Sequence, residues 1–282
     1  MLGTQFQVHL FGALSLFHNG KQIHLPRSVS ARALLVYLLL NRKIPQPRLK
    51  LIGVLWPETP EGQARRALTQ ALWHLRKDLP GGLLETVADH IQISPEAPLW
   101  VDAETFASLA KKNLKVVQHD TENLRQAVDL YRGDLLEGFY DDWVLVEREH
   151  LRELYLRSLD FLVDTEKTAG HYTQALDYAQ RLTRADSFRE SAHRAVMRLH
   201  YALNQTDAAL NQYALCCKIL DDELGVEPDE ETKALAREIA VRATQKGSPY
   251  LPPVITPPGT PWQQDDAQSI QIPILGRDEE RE

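Results

Sequence analysis

Gln63-Ala-Arg-Arg-Ala-Leu-Thr-Gln-Ala-Leu-Trp-His-Leu-Arg-Lys-Asp-Leu79 is the stretch on which the reading of the fold turns. At about 100° per residue, Ala64, Leu68, Leu72, Leu75 and Leu79 fall on one stripe, which must face a core. The opposite arc carries Arg66, Thr69, Gln70, Trp73, His74, Arg76 and Lys77, and the nearest acids, Glu61 and Asp78, stand at its two ends. A merely solvated helix face mixes both signs of charge. This arc instead combines donors suited to base edges, cations suited to phosphate and one aromatic for stacking or methyl contact. Gln70 and Thr69 are the candidates for base contacts, Arg66 for base or phosphate, and Arg76 and Lys77 for phosphate. Arg65 lies nearer the packed stripe and reaches a nucleic-acid backbone only obliquely.

On the N-terminal side, Pro57-Glu-Thr-Pro-Glu-Gly62 reads as a loop, because two prolines and a glycine in six residues oppose a helix. Before it, Pro47 to Leu55 predicts one helix and Ser28 to Asn41 another, with Ser30 as candidate N-cap and Leu34, Leu35, Leu38 and Leu39 on one side. The first 25 residues show close to period-two alternation in Phe6–Leu10, Ala13–Phe17 and Lys21–Leu25, with Asn19-Gly20 as a tight turn. On the C-terminal side, Pro80-Gly81-Gly82 stops the helix. Leu83–Val87 and His90–Ile93 then predict a hairpin around Ala88-Asp89. A sheet, three helices and a terminal hairpin make a winged helix-turn-helix, an α+β unit over residues 1–97.

The 282-residue chain carries a net charge of −7, which taken alone argues against a nucleic-acid partner. The charge is unevenly spread: residues 1–97 hold 11 Lys+Arg against 6 Asp+Glu, net +5, and the remainder is net −12. Only the N-terminal third is suited to phosphate. Hydrophobic residues at 43% and charged residues at 25% exclude wholesale disorder. The longest apolar run, Ala33 to Leu40, falls far short of the ~20 residues that span a bilayer, and no signal pattern opens the chain, so a cytoplasmic protein without a membrane partner is expected. Cys216 and Cys217, adjacent in a helical stretch, read as small hydrophobes and cannot supply a four-ligand zinc site. No phosphate loop, zinc-protease or nucleophile-elbow motif is present, and no catalytic residue, metal or cofactor is assigned. Asp141-Asp142 reads as a loop or helix cap, and Trp143 as core.

From residue 98 the pattern turns helical, with helices expected at Thr121–Tyr131, Trp143–Ala169, Tyr172–Ala185, Phe188–Leu203, Asp207–Asp222 and Asp229–Ala243. Gly170 to Tyr178 aligns with Asn204 to Gln212 at an offset of 34, the period of a tetratricopeptide unit, with Ala175 and Ala209 where neighbouring helices approach. An all-α, tetratricopeptide-like module over 98–243 is predicted. Dense proline then marks 244–273 as an extended linker, and 274–282 reads as the start of a further domain, so the chain reads as a fragment of a longer protein.

Arg32-Ala-Leu-Leu-Val-Tyr-Leu-Leu-Leu, Leu55-Trp56-Pro57-Glu58, Ala64 to Lys77, and Val101-Asp102 with Phe106 resemble the DNA-binding half of the streptomycete antibiotic regulatory protein family. Tyr131-Arg-Gly-Asp-Leu-Leu-Glu-Gly-Phe139, Asp142-Trp143, Glu147-Arg148 and Leu151-Arg-Glu153 resemble its bacterial transcriptional activation domain. Ile274-Leu-Gly-Arg-Asp-Glu-Glu280 resembles the start of the nucleotide-binding domain of its larger members. The resemblance implies a response-regulator type of winged helix in a transcriptional activator, with helix 63–79 in the major groove of double-stranded DNA. It also implies the 83–93 wing on a minor groove, the loop bearing Glu58, Thr59 and Glu61 near RNA polymerase, and homodimers on direct repeats upstream of promoters. The wing departs from the family in having no Lys or Arg between Leu83 and Ile93, which leaves His90 and Gln92 as its candidates near phosphate. The rival reading is a protein-interaction adaptor, which would not need a basic, acid-poor arc on 63–79.

Overall fold

The computed structural model describes residues 6–115 and 121–245. The proline-rich stretch and residues 274–282 lie outside the described residues, apart from 244 and 245, which end the last helix.

The chain opens with β1 (Phe6–His9), β2 (Ser15–His18) and β3 (Lys21–Gln22), an antiparallel meander joined by a turn with Asn19 and Gly20 both at positive φ. Helix α1 (Val29–Leu40) follows, capped by Ser28, whose hydroxyl accepts from the Ala31 amide. The cap is therefore two residues earlier than the expected Ser30, which lies inside the first turn. Nor is α1 amphipathic: Ala31 and every residue from Ala33 to Leu39 are buried, because the helix is packed against α2 (Arg48–Leu55), α3 (Glu61–Asp78) and β6 (His90–Ile93).

Helix α3 starts at Glu61, so the expected loop 57–62 is shortened to 57–60. Glu61 gains from the positive end of the helix and from an ion pair with Arg65 at 2.6 Å, which together offset the ~1 kcal/mol helix penalty of Gly62. The stripe read from the sequence is buried throughout, with Ala71 added. β5 (Leu84–Val87) and β6 form the wing, turning through Ala88 at φ 52° and Asp89. Two short strands carry no period and were not legible. β4 (Gln46–Pro47) adds to the wing as its third strand, and β7 (Leu99–Val101) lies parallel to β1 as the fourth strand of the first sheet.

Helix α4 (Asp102–Lys115), absent from the sequence-based helices, leads into α5 (Thr121–Leu130), α6 (Asp142–Thr168), α7 (Tyr172–Ala185), α8 (Glu190–Ala202), α9 (Thr206–Leu224) and α10 (Glu230–Gln245). Asp141 occupies the N-cap position of α6, and Trp143 packs edge-on to Tyr37 at 5.2 Å. The 34-residue repeat is visible in the structure. α7 and α9 begin 34 residues apart, Gly170 and Asn204 both take positive φ, and Ala175 and Ala209 are fully buried. The turns match as well: His171 bonds back to Glu166 at 2.9 Å, and Gln205 to His200 at 2.7 Å.

The two regions share one core. Phe11, two residues beyond β1, meets Phe106 of α4 and Tyr131, with ring centroids 5.4 and 4.6 Å away. The Asp102 carboxylate is buried and accepts from the amides of Leu10, Phe11 and Ala103 at 2.8, 3.2 and 2.7 Å. Burial pushes its pKa up against the pull of those bonds. Gly12 then donates to the Asp134 carbonyl at 2.8 Å, and Leu136 to that of Leu10 at 2.7 Å.

Candidate nucleic-acid interface

Helix α3 presents its charged arc because its other side is held by the core. Arg65, Arg66, Thr69, Gln70, Trp73, Arg76 and Lys77 are all exposed, and His74 is half-buried at the edge of the arc. By helical angle, Arg66, Gln70, Trp73 and Lys77 form one line opposite the buried stripe. Among the described residues, Arg66 and Gln70 make no hydrogen bond or ion pair. Trp73 is 56% exposed, far more than packing would leave an indole, and Lys77 Nζ sits 5.0 Å from its ring centroid. Lys77 is thereby placed against an aromatic face. Trp73 also meets His74 edge-on at 5.0 Å.

Other members of the set are already engaged. Arg65 is ion-paired to Glu61, and the Thr69 hydroxyl donates to the Arg65 carbonyl at 2.9 Å. Arg76 Nη2 donates to Thr86 Oγ1 at 2.7 Å and so ties α3 to the wing. In the wing, His90 is exposed. Gln92 donates to Glu85 at 3.0 Å, and hydrogen bonds from Ser94 and Gln92 hold the Glu85 carboxyl below the usual carboxylate range. Glu58 and Glu61 are exposed and Thr59 half-buried around the N-terminal end of α3.

The structure adds cations that the sequence did not single out. Arg48, first in α2, lies with Nε 3.8 Å from Asp89, and its amide donates to the Asp89 carbonyl at 3.0 Å, so a positive charge reaches the tip of a wing that has none of its own. His24 and Arg27 join His74 and Lys77 around a cavity of about 440 Å3 beside the C-terminal half of α3. The signal in the sequence is the position of Arg27, between Pro26 and the α1 cap Ser28. Among the described residues no group of His, Cys, Asp and Glu is arranged to hold a metal, and no helix is long and apolar enough to cross a membrane.

Residues 101–240 match the bacterial transcriptional activator domain family. The chain is 31% identical over 217 residues to the regulatory protein AfsR of Streptomyces coelicolor, a match covering 75% of this chain and 22% of AfsR. It is 25% identical over 250 residues to the regulatory protein DnrI of Streptomyces peucetius, covering 83% of this chain and 91% of DnrI. The solved structure of Mycobacterium tuberculosis EmbR in complex with a low-affinity phosphopeptide superposes with a TM-score of 0.62 at 22% identity, over 85% of this chain and 66% of that one. That likeness supports the order of a small winged unit followed by stacked helices. The chain belongs to the streptomycete antibiotic regulatory protein family of transcriptional regulators.

Proposed function

We propose that the chain activates transcription by binding double-stranded DNA through α3. The observation that carries this reading is the outward line of Arg66, Gln70, Trp73 and Lys77, exposed together on a helix whose opposite face is wholly buried. Gln70 and Arg66, without protein partners among the described residues, read base edges in the major groove. Lys77 and Arg76 neutralise phosphate, joined by Arg27 beside α3 and Arg48 at the wing. His90, exposed on the wing, approaches the neighbouring groove.

One helix covers one half-site, so two copies occupy adjacent repeats. The turn at Glu58 and Thr59, with Glu61 in the first turn of α3, faces RNA polymerase. The acidic helical module is repelled by DNA and stays available for protein contacts. Selection of bound duplexes from a random pool, followed by salt titration of the winner, tests the reading. Enrichment of a repeated half-site and a steep loss of affinity with salt are expected. Absence of any duplex binding would return the chain to the adaptor reading.

A further inference from the structure

Away from α3, the helical module holds a cavity of about 650 Å3 that five arginines line: Arg132, Arg148, Arg152, Arg181 and Arg184. They gather in a region whose overall charge is strongly negative. Asp134 and Glu149 also line the cavity, so positive charge remains in excess. Clustered like charges repel and weaken a fold unless something offsets them.

Two of the five are committed to the architecture. Arg148 donates to the carbonyls of Leu135, Leu136 and Phe139 at 2.7, 2.7 and 2.9 Å. Arg181 donates to Asp129 at 2.8 Å and to the Val128 carbonyl at 2.5 Å. The other three retain donors. Arg132 and Arg184 are exposed and make no hydrogen bond or ion pair among the described residues. Arg152 bonds the Ala185 carbonyl through Nη2 at 2.8 Å, and its Nη1 lies 3.6 Å from Glu149, beyond a good hydrogen bond.

Tyr131 and Tyr155 also line the cavity, stacked at 4.1 Å and 8°. Tyr131 is further covered by Phe11, and Arg181 lies over Tyr155, so no open aromatic face remains on which a base could stack. The guanidinium fork matches the paired oxygens of phosphate and carboxylate. We infer that this cavity binds a compact, multiply charged anion bearing phosphate or carboxylate groups, held by Arg132, Arg152 and Arg184. The site is independent of the α3 face. Its wall includes Asp134, whose carbonyl receives the Gly12 amide of the winged unit.

Isothermal titration of the full chain with pyrophosphate and, separately, citrate at fixed ionic strength tests the site and separates the two chemistries. Saturable one-to-one binding is expected. Pyrophosphate alone would assign the ligand to phosphates, citrate alone to carboxylates, and both alike to their shared charge. Arg132→Ala with Arg184→Ala should weaken binding about tenfold or more per arginine, since each removes a charge-assisted hydrogen bond. Neither side chain makes a contact that supports the fold, and removing both relieves like-charge repulsion, so the thermal midpoint without ligand should not fall below the wild type and should rise slightly. Arg184→Glu alone, which reverses the charge, should weaken binding further than Arg184→Ala. Absence of saturable heat with either probe up to about 10 mM, or unchanged affinity in the double variant, overturns the assignment.

Discussion

Arg76, in the last turn of α3, donates from Nη2 to the hydroxyl of Thr86 on the first wing strand at 2.7 Å, so the helix and the wing are joined by a side chain that also carries a charge toward solvent. The two duties are separable. If Arg76 contacts phosphate as proposed, Arg76→Ala should lower affinity for specific and random duplexes by similar factors, with the salt slope reduced by about one. Thr86→Val keeps the charge and removes only the tether, so the slope should hold. Fluorescence anisotropy across a salt series reads both, and an unchanged slope in Arg76→Ala would remove Arg76 from the phosphate set.

Gln70 and Lys77 lie on one line of α3 and should nonetheless fail differently. Gln70 has no protein partner among the described residues, and its amide can pair with a base edge. Gln70→Ala should cost about 1–3 kcal/mol on the selected site and almost nothing on random DNA. Lys77→Ala should weaken all duplexes alike. Competition gel shifts against random DNA check the contrast. Equal losses on both DNAs for Gln70→Ala would place that residue on the backbone.

The α3 stripe, the wing hairpin and the 34-residue repeat were legible because each is a period or a turn, a local property of the chain. Ala175 and Ala209 reached the buried positions their spacing implied. What was illegible is non-local. β7 exists only because Leu99–Val101 finds β1, more than ninety residues away, and three residues show no alternation of their own. Ser28 and Ser30 are equally good caps by residue type, and the structure puts Ser28 at the cap. Arg48 could not be placed at the wing tip from sequence, since only the pairing of β4 with β6 brings it there.

Glu166 is buried between Arg125, 2.5 Å from one carboxylate oxygen, and His171, 2.9 Å from the other. Burial pushes its pKa up, and the hydrogen bonds from Arg125 and His171 outweigh that push, leaving the group below its ordinary value of 4.5. A carboxyl depressed in the folded state binds fewer protons there than in the unfolded chain. Its stabilisation is therefore complete above 4.5 and disappears as pH falls through the folded value. Glu166→Gln should destabilise by about 1–3 kcal/mol at pH 7, and the gap from wild type should close in acid. Asp102, raised by burial, acts in the opposite sense, so only the difference between the two proteins isolates Glu166. Urea unfolding from pH 7 to pH 3.5 measures it, and a constant gap would rule out the linkage.

Phe11 belongs by sequence to the winged unit and by packing to the helical module, where it meets Phe106 and Tyr131. Its backbone is fixed on the same side: the Phe11 and Leu10 amides donate to Asp102, and the next residue, Gly12, donates to Asp134. Side chain and backbone therefore cross between the two regions at one place. Phe11→Ala should leave a cavity shared by both and cost about 3–5 kcal/mol. Asp102→Ala should orphan buried amides there, at about 1–3 kcal/mol for each one left unpaired. If the shared core makes the regions cooperative, each variant shifts a single transition that tryptophan fluorescence and the far-ultraviolet signal of the helices report together. Were Phe11→Ala to split unfolding into two steps, with the helical signal surviving the first, the winged unit would be an independent domain resting on the module.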